Sequence, residues 1–217
     1  MRELAVLDVG CGHGSLCVDA AEQGAARVVG IDTDQSRIAF ADENVTINFP
    51  HLRNSLSFLA KDLRDCEERE FDVILSKDSF EHILDPEEVL AEMARRLKPG
   101  GRIFIGFAPL YNSPIGHHFR TGTMLPWGHL LSQEKDIVAR LNRRRGTTIT
   151  SIRDLGLNMY ALSDYRRLFS NCGLQVESLL TNQSKNLGMK LFSLIATLVT
   201  PLEEYFTHNL YCILRKT

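Results

Sequence analysis

"VLDVGCGHGSL" (residues 6–16) decides the fold. A short apolar run carries Asp8 near its end and then meets three glycines at alternate positions, Gly10, Gly12 and Gly14. Bare backbone at such a turn lets N–H groups approach a ligand closely, and a helix beginning near Gly14 offers its positive end to an anion. A strand, a glycine turn and a helix together form a nucleotide-type cradle. The question is which ligand tolerates the carboxylate of Asp8 beside it.

Working outward, strands and helices alternate over the first half of the chain. Short apolar runs at 4–9, 27–32, 56–61, 71–76 and 102–108 lack clean polar alternation, as parallel strands covered on both faces do. The clearest helix is "DPEEVLAEMARRLKPGG" (85–101): Asp85 is placed to cap it, Pro86 fits the first turn, and Glu87 and Glu88 meet the positive end. Arg95, Arg96 and Lys98 meet the negative end, and Gly100 is placed to stop it. Residues 109–162 hold no convincing strand. After them, 162–182 reads as helix, Gly173 cap and strand, 187–206 as helix, and 209–216 as a last strand. The expected fold class is α/β: a Rossmann-like, doubly wound, seven-stranded, mostly parallel sheet with an antiparallel edge strand. One domain covers 1–217, with a ligand-binding core (1–108), an inserted lid (109–162) and C-terminal helices and edge strands (163–217).

The 217 residues, 44% apolar and 24% charged, are enough for one well-buried core. A net charge of -2 gives no global field toward nucleic acid or membrane. Cys11, Cys17, Cys66, Cys172 and Cys212 form neither a C-x-x-C pair nor an even set, so reduced thiols and a cytoplasmic location are expected. The most apolar stretch, "LGMKLFSLIATLVT" (187–200), is too short to span a bilayer and carries Lys190. The chain starts only a few residues before a buried-type strand, so either the fold needs no lead-in or a longer protein has been trimmed.

Dinucleotide enzymes use G-x-G-x-x-G with a pyrophosphate over the turn. Here the third glycine comes one residue sooner, and Asp8 would repel a pyrophosphate. The acid suits a ligand carrying a positive ammonium and sulfonium, as S-adenosylmethionine does. Further groups fall where the rest of such a ligand would lie, each at a strand's carboxyl end, where open α/β sheets form their crevices. Asp32 ends the second strand and is placed for the ribose hydroxyls. Asp62 follows the third and could accept from an adenine amino group while Leu63 covers the ring. Ser76 ends the fourth, beside the expected methionine end.

"VLDVGCGHGSL", "VVGIDTD", "AKDL", "FDVILSKDSFEHI" and "LKPGGRIFI" resemble, in order, the motifs of class I S-adenosylmethionine-dependent methyltransferases, in the small-molecule group that includes quinone- and sterol-pathway enzymes. The resemblance covers about residues 4–108. It implies that Gly10, Gly12, Asp32, Asp62, Leu63 and Ser76 contact the cofactor, and Asp8, Cys11 and Thr33 complete the expected set. The chain departs from the family in lacking the helices that usually precede the first strand and in the length of its 109–162 segment.

Methyl transfer is an in-line displacement, so the protein mainly aligns the reactants and, for an oxygen acceptor, removes a proton. Candidate bases are His82, which resembles a histidine often found after the fourth strand, and His118 and His129 in the lid; each histidine could equally be a polar residue serving its own segment. His117, Tyr111 and Trp127 share that Gly/Pro-rich stretch. No carboxylate pair accompanies the histidines at ligand spacing, so no metal is expected. "SKDSF" stands where base-modifying enzymes carry their N/D-P-P-aromatic loop, so a small molecule, not nucleic acid, is the expected partner.

The basic run 140–146 is either an anion clamp or a solvated helix end. The apolar stripe Leu187, Leu191, Leu194, Ile195, Leu198, Val199 and Leu202 is either core or, with Phe119, Met124, Leu125, Leu130 and Leu131, the lining of an apolar acceptor channel. The expected activity is methyl transfer to a small molecule, at oxygen. A nicotinamide-dependent oxidoreductase and a silent S-adenosylmethionine-binding subunit are the rivals.

Overall fold

The computed structural model describes residues 1–182 and 202–217. The seven strands are β1 (Ala5–Val9), β2 (Arg27–Asp32), β3 (Leu56–Ala60), β4 (Phe71–Lys77), β5 (Leu97–Phe107), β6 (Gln175–Thr181) and β7 (Leu210–Arg215). They form one sheet in the order β3-β2-β1-β4-β5-β7-β6. The first five run parallel. β7 lies antiparallel between β5 and β6, so the antiparallel feature expected at this edge is a pair of contacts, with β6 outermost.

Among the described residues six α-helices accompany the sheet: α1 (Ser15–Glu22), α2 (Gln35–Asn48), α3 (Pro86–Arg96), α4 (Glu134–Arg145), α5 (Leu162–Asn171) and a short α6 (Glu203–Phe206). Alternation along β1 divides the core in two. Leu7 and Val9 join Leu90 and Met93 of α3 and Tyr165 and Phe169 of α5 on one side. Val6 joins Cys17 and Ala20 of α1 and Ile38 and Val45 of α2 on the other. Burying side chains such as Leu90 or Met93 contributes about 1.5–3 kcal/mol each, which is why α3 holds its place although its outer face is charged.

The helix at 86–96 forms where the sequence places it, with different ends. Asp85 makes no side-chain cap bond; its Oδ1 meets Arg153 Nη2 at 3.3 Å. Nor does Gly100 stop the helix, since β5 already begins at Leu97. Gly100 instead turns at φ +78°, and its N–H bonds to the Lys216 carbonyl at 2.8 Å, tying β5 to the C-terminus. Buried Arg96 bonds the carbonyls of Leu63 (2.8 Å) and Cys66, locking the turn after β3.

Residues 109–162 contain α4 and irregular chain with a small core of their own around Ile137, Leu141, Ile152 and Leu157. Gly146 closes α4 in the left-handed conformation, and Arg143, Arg144 and Arg145 are exposed on its last turn, the solvated-end form of the basic run. Most of the stripe from Leu187 to Leu202 lies outside the described residues. Among the described residues, no helix is long and apolar enough to cross a membrane.

Candidate cofactor and acceptor site

A crevice of about 440 Å³ opens at the carboxyl ends of the central strands, within the size range of small-molecule sites. Its walls come from the ends of β1 (Val9, Gly10), β2 (Ile31, Asp32, Thr33) and β3 (Lys61, Asp62, Leu63) and from the segment after β4 (Asp78, Ser79, His82, Ile83, Leu84).

Two glycines of the first turn are there for steric reasons. Gly10 has φ +75°, and a Cβ on it would lie 2.2 Å from Ser79 Oγ. The same hydroxyl donates to the Gly10 carbonyl at 3.0 Å, so the turn and the segment after β4 are clasped together. Gly14, at φ +81°, caps α1, and a Cβ there would strike the Phe58 ring at 2.6 Å.

Asp32 faces the crevice with its carboxylate already fixed. Oδ2 accepts the Gly12 N–H at 2.9 Å, and Oδ1 accepts the Asp34 N–H at 2.9 Å. Thr33 lines the wall beside it. Asp62 also lines the crevice, but Arg64 grips it through the backbone N–H, Nε and Nη2, each at 2.9 Å. That grip holds its carboxyl below the usual range. An adenine amino group bonding Asp62 must therefore share it with Arg64. Leu63 forms part of the floor while belonging to the main core.

Three expected cofactor contacts sit behind the wall. Asp8 is buried under the glycine turn, where Cys17 Sγ donates to its Oδ2 at 3.4 Å and Oδ1 has no partner. Burial pushes its carboxyl up to about 6. Cys11 is buried in the cluster between the sheet and α1 and α2. Ser76 is buried in β4 with an unpartnered hydroxyl, and Ser79, three residues later, takes the position on the crevice. The reason is strand geometry: β4 runs on through Lys77, so the chain leaves the sheet later than Ser76.

The candidate bases separate in the same way. His82 is on the crevice wall, and its Nδ1 bonds the Gly156 carbonyl at 2.7 Å. Burial lowers its basicity despite that bond. His118 stacks on it from the lid, ring centres 4.7 Å apart, at φ +49° and with Nε2 unpartnered. Burial, then His82 and Arg120, bring His118 down to about 4. His129 belongs to the lid's interior: Nε2 bonds the Tyr111 carbonyl at 2.7 Å and the ring packs on His117. Burial brings it to about 4 as well. None of the residues lining the crevice comes from 109–162; the lid reaches it only through groups packed on His82. Phe119, Met124, Leu125 and Leu131 are exposed rather than turned into a channel.

Two groups around His82 are absent from the sequence-based set. Arg120 stacks against the imidazole, 3.5 Å from each ring nitrogen, and bonds the Leu155 carbonyl at 2.7 Å. Glu81 is buried with Oε2 unpartnered, and burial pushes its carboxyl up to about 8. A carboxylate oxygen of Glu81 and one ring nitrogen each of His82 and His118 lie within 4.8 Å of one another. Three such groups could hold a metal ion or share a proton, and the Arg120 cation already against His82 disfavours a second cation there. Glu81 stands in the quoted "SFEHI", next to a candidate base, but its burial has no signature in sequence. Arg120 carries none at all.

Residues 7–105 match the family model described as "Methyltransferase domain". The ubiquinone biosynthesis O-methyltransferase of Neisseria meningitidis serogroup C is 32% identical over 114 residues, 52% of this chain and 47% of that protein. The protein of the same name from Mesorhizobium japonicum is 36% identical over 107 residues, 47% of this chain and 40% of that one. The chain thus spans about half the length of the curated relatives it matches. Among solved structures, an S-adenosylmethionine-dependent methyltransferase from Mesorhizobium loti superposes with TM-score 0.64 at 17% identity, over 99% of this chain and 92% of that one. Geranyl diphosphate C-methyltransferase from Streptomyces coelicolor gives 0.63 at 16%, over 99% and 73%. The ordered motifs, the strand order and the matched model agree: residues 7–105 are similar to a methyltransferase domain, and the seven-stranded sheet has the α/β fold of the solved methyltransferases it superposes on.

Proposed function

We propose that this chain binds S-adenosylmethionine in the crevice above Gly10–Gly14 and transfers its methyl group to a hydroxyl oxygen of a small-molecule acceptor, with His82 as the base. The observation that carries the reading is the juxtaposition of a fixed carboxylate, Asp32, and a fixed imidazole, His82, on one crevice.

The donor set fits the cofactor. The Gly12 and Asp34 amides fix Asp32 on the crevice, and its lone-pair sites are not exhausted by two bonds, which leaves acceptors for ribose hydroxyls. When bound, the cofactor supplies a methyl group already activated on a sulfonium. The protein's work is alignment and proton removal. With Nδ1–H directed to the Gly156 carbonyl, the His82 Nε2 lone pair meets only the long 3.5 Å contact from Arg120 Nη2, which an acceptor hydroxyl would displace to give up its proton there. Oxygen is favoured as the acceptor atom because a hydroxyl needs such a base and because the named relatives are O-methyltransferases. Ile83 and Leu84, on the wall next to His82, favour an acceptor with an apolar part.

Calorimetry with S-adenosylhomocysteine and with NADH tests the cofactor. Binding of the first and not the second is expected; the reverse overturns the reading in favour of an oxidoreductase. Incubation with methyl-labelled cofactor and a metabolite extract tests turnover. Binding without labelled product would make the chain a silent cofactor-binding subunit.

A further inference from the structure

We propose that Glu81 is a positioning residue for proton transfer: its buried carboxyl group balances the charge that His82 acquires on accepting a proton. The inference rests on the methyl-transfer reading for its purpose, but the coupling itself belongs to the ligand-free protein.

The geometry is that of a proton site with one member hidden. His82 faces the crevice; Glu81 and His118 stand behind it, with one polar atom of each inside the same 4.8 Å. Glu81 is held there through its backbone, its carbonyl accepting the Asn158 N–H at 3.3 Å, while Oε2 makes no hydrogen bond. A buried carboxyl oxygen without a partner is costly unless it has a use.

The groups facing Glu81 define that use. From the lid come the Arg120 cation and the His118 ring; from the segment around the end of β4 come His82, Asp78 and Lys77; from α5 comes the Tyr165 hydroxyl. Arg120 opposes a second positive charge on His82, as its effect on that ring shows. Asp78 is exposed and bonded to Lys77, which leaves Glu81 as the buried carboxyl group that can offset that charge. When the acceptor hydroxyl gives up its proton, the bonding pair stays on oxygen and the proton adds to Nε2 of His82, displacing the 3.5 Å contact from Arg120 Nη2. With Glu81 ionised, that imidazolium forms beside a carboxylate and the net charge of Arg120, His82 and Glu81 rises from zero to one rather than from one to two. With Glu81 protonated, it forms beside Arg120 uncompensated. Burial raises the carboxyl to about 8, so the balance becomes available to His82 as Glu81 ionises around that pH, and the ring nitrogens sense the step across the cluster.

The test follows both groups by NMR in the ligand-free chain, using the Glu81 carboxyl carbon and the His82 ring nitrogens across pH 5–10. In the wild type a common inflection near pH 8 is expected on both. In Glu81→Gln the upper inflection of His82 disappears, leaving its own low-pH step. Independent titration in the wild type, or a His82 curve unchanged by the substitution, would overturn the proposal. The wild-type comparison decides the matter even should the variant fail to fold. No cofactor or acceptor enters this measurement, so a chain that fails to bind S-adenosylhomocysteine refutes the methyl-transfer reading and leaves the coupling to stand or fall alone.

Discussion

The Asp32 carboxylate at the end of β2 accepts the Gly12 amide of the glycine turn at 2.9 Å, so the ribose-binding candidate is held by the loop beneath it. Asp32→Ala removes the direct contact and loosens the turn together. Affinity for S-adenosylhomocysteine is expected to fall by about 1–3 kcal/mol, measured by calorimetry. An unchanged dissociation constant would place the ribose elsewhere.

Gly10→Ala should be far more damaging than its size implies. It puts a Cβ 2.2 Å from Ser79 Oγ and a non-glycine residue at φ +75°. The strained backbone costs roughly 1–3 kcal/mol by itself. Adding Ser79→Gly relieves the collision and leaves that strain, so urea midpoints should order as wild type, double variant, single variant. Equal midpoints for the two variants would show that the collision is absorbed elsewhere.

His82→Asn keeps a donor for the Gly156 carbonyl and removes the base. Turnover of an oxygen acceptor should drop on the order of 10²–10⁴-fold, with S-adenosylhomocysteine affinity nearly unchanged. His129→Gln, which keeps a donor toward the Tyr111 carbonyl, should alter stability rather than turnover. The opposite pattern would move the base into the lid.

Acid should unfold the lid through its neutral histidines. His118 and His129 have folded values near 4 against an ordinary 6.5, both lowered chiefly by burial. Between those limits the unfolded chain binds more protons, so stability rises with pH across the window and is lost as pH falls from 6.5 to 4. Asp8 and Glu81 act in the opposite sense, because their folded values are raised to about 6 and about 8: their contribution declines as pH climbs from the ordinary carboxylate values to those limits. A difference measurement isolates the lid. The gap in Tm between wild type and His129→Gln should shrink as pH falls from 6.5 to 4, and a constant gap would refute the assignment.

Much of the frame was legible from residues 4–108, because apolar runs and glycine turns are local signals. The starts of β2, β3 and β4 fall where the sequence puts them. What escaped depends on contacts distant in sequence. Gly100 reads as a helix stop yet serves the junction with Lys216, and Asp85 reads as a cap yet faces Arg153. Ser76 and Ser79 cannot be told apart until the length of β4 is known. Residues 109–162 were legible as a strandless segment, but no spacing rule brings Arg120 to His82 or separates His129 from the crevice. Asp78 and Glu81 stand three residues apart, and that one is exposed against Lys77 and the other is buried is a property of the folded chain.

The position of β7 sets an order on assembly. β6 touches the sheet only through β7, so it has no strand to pair with until residues 210–215 have threaded between it and β5. Closing that register joins Phe107 to Leu210 across about a hundred residues of intervening chain, the kind of distant pairing that slows folding. Before that step the β5 edge stands open and can pair with another molecule. Yield on refolding should therefore fall with protein concentration, and ending the chain before Leu210 should trade folded protein for aggregate while the parallel pairings of β1 to β5 remain.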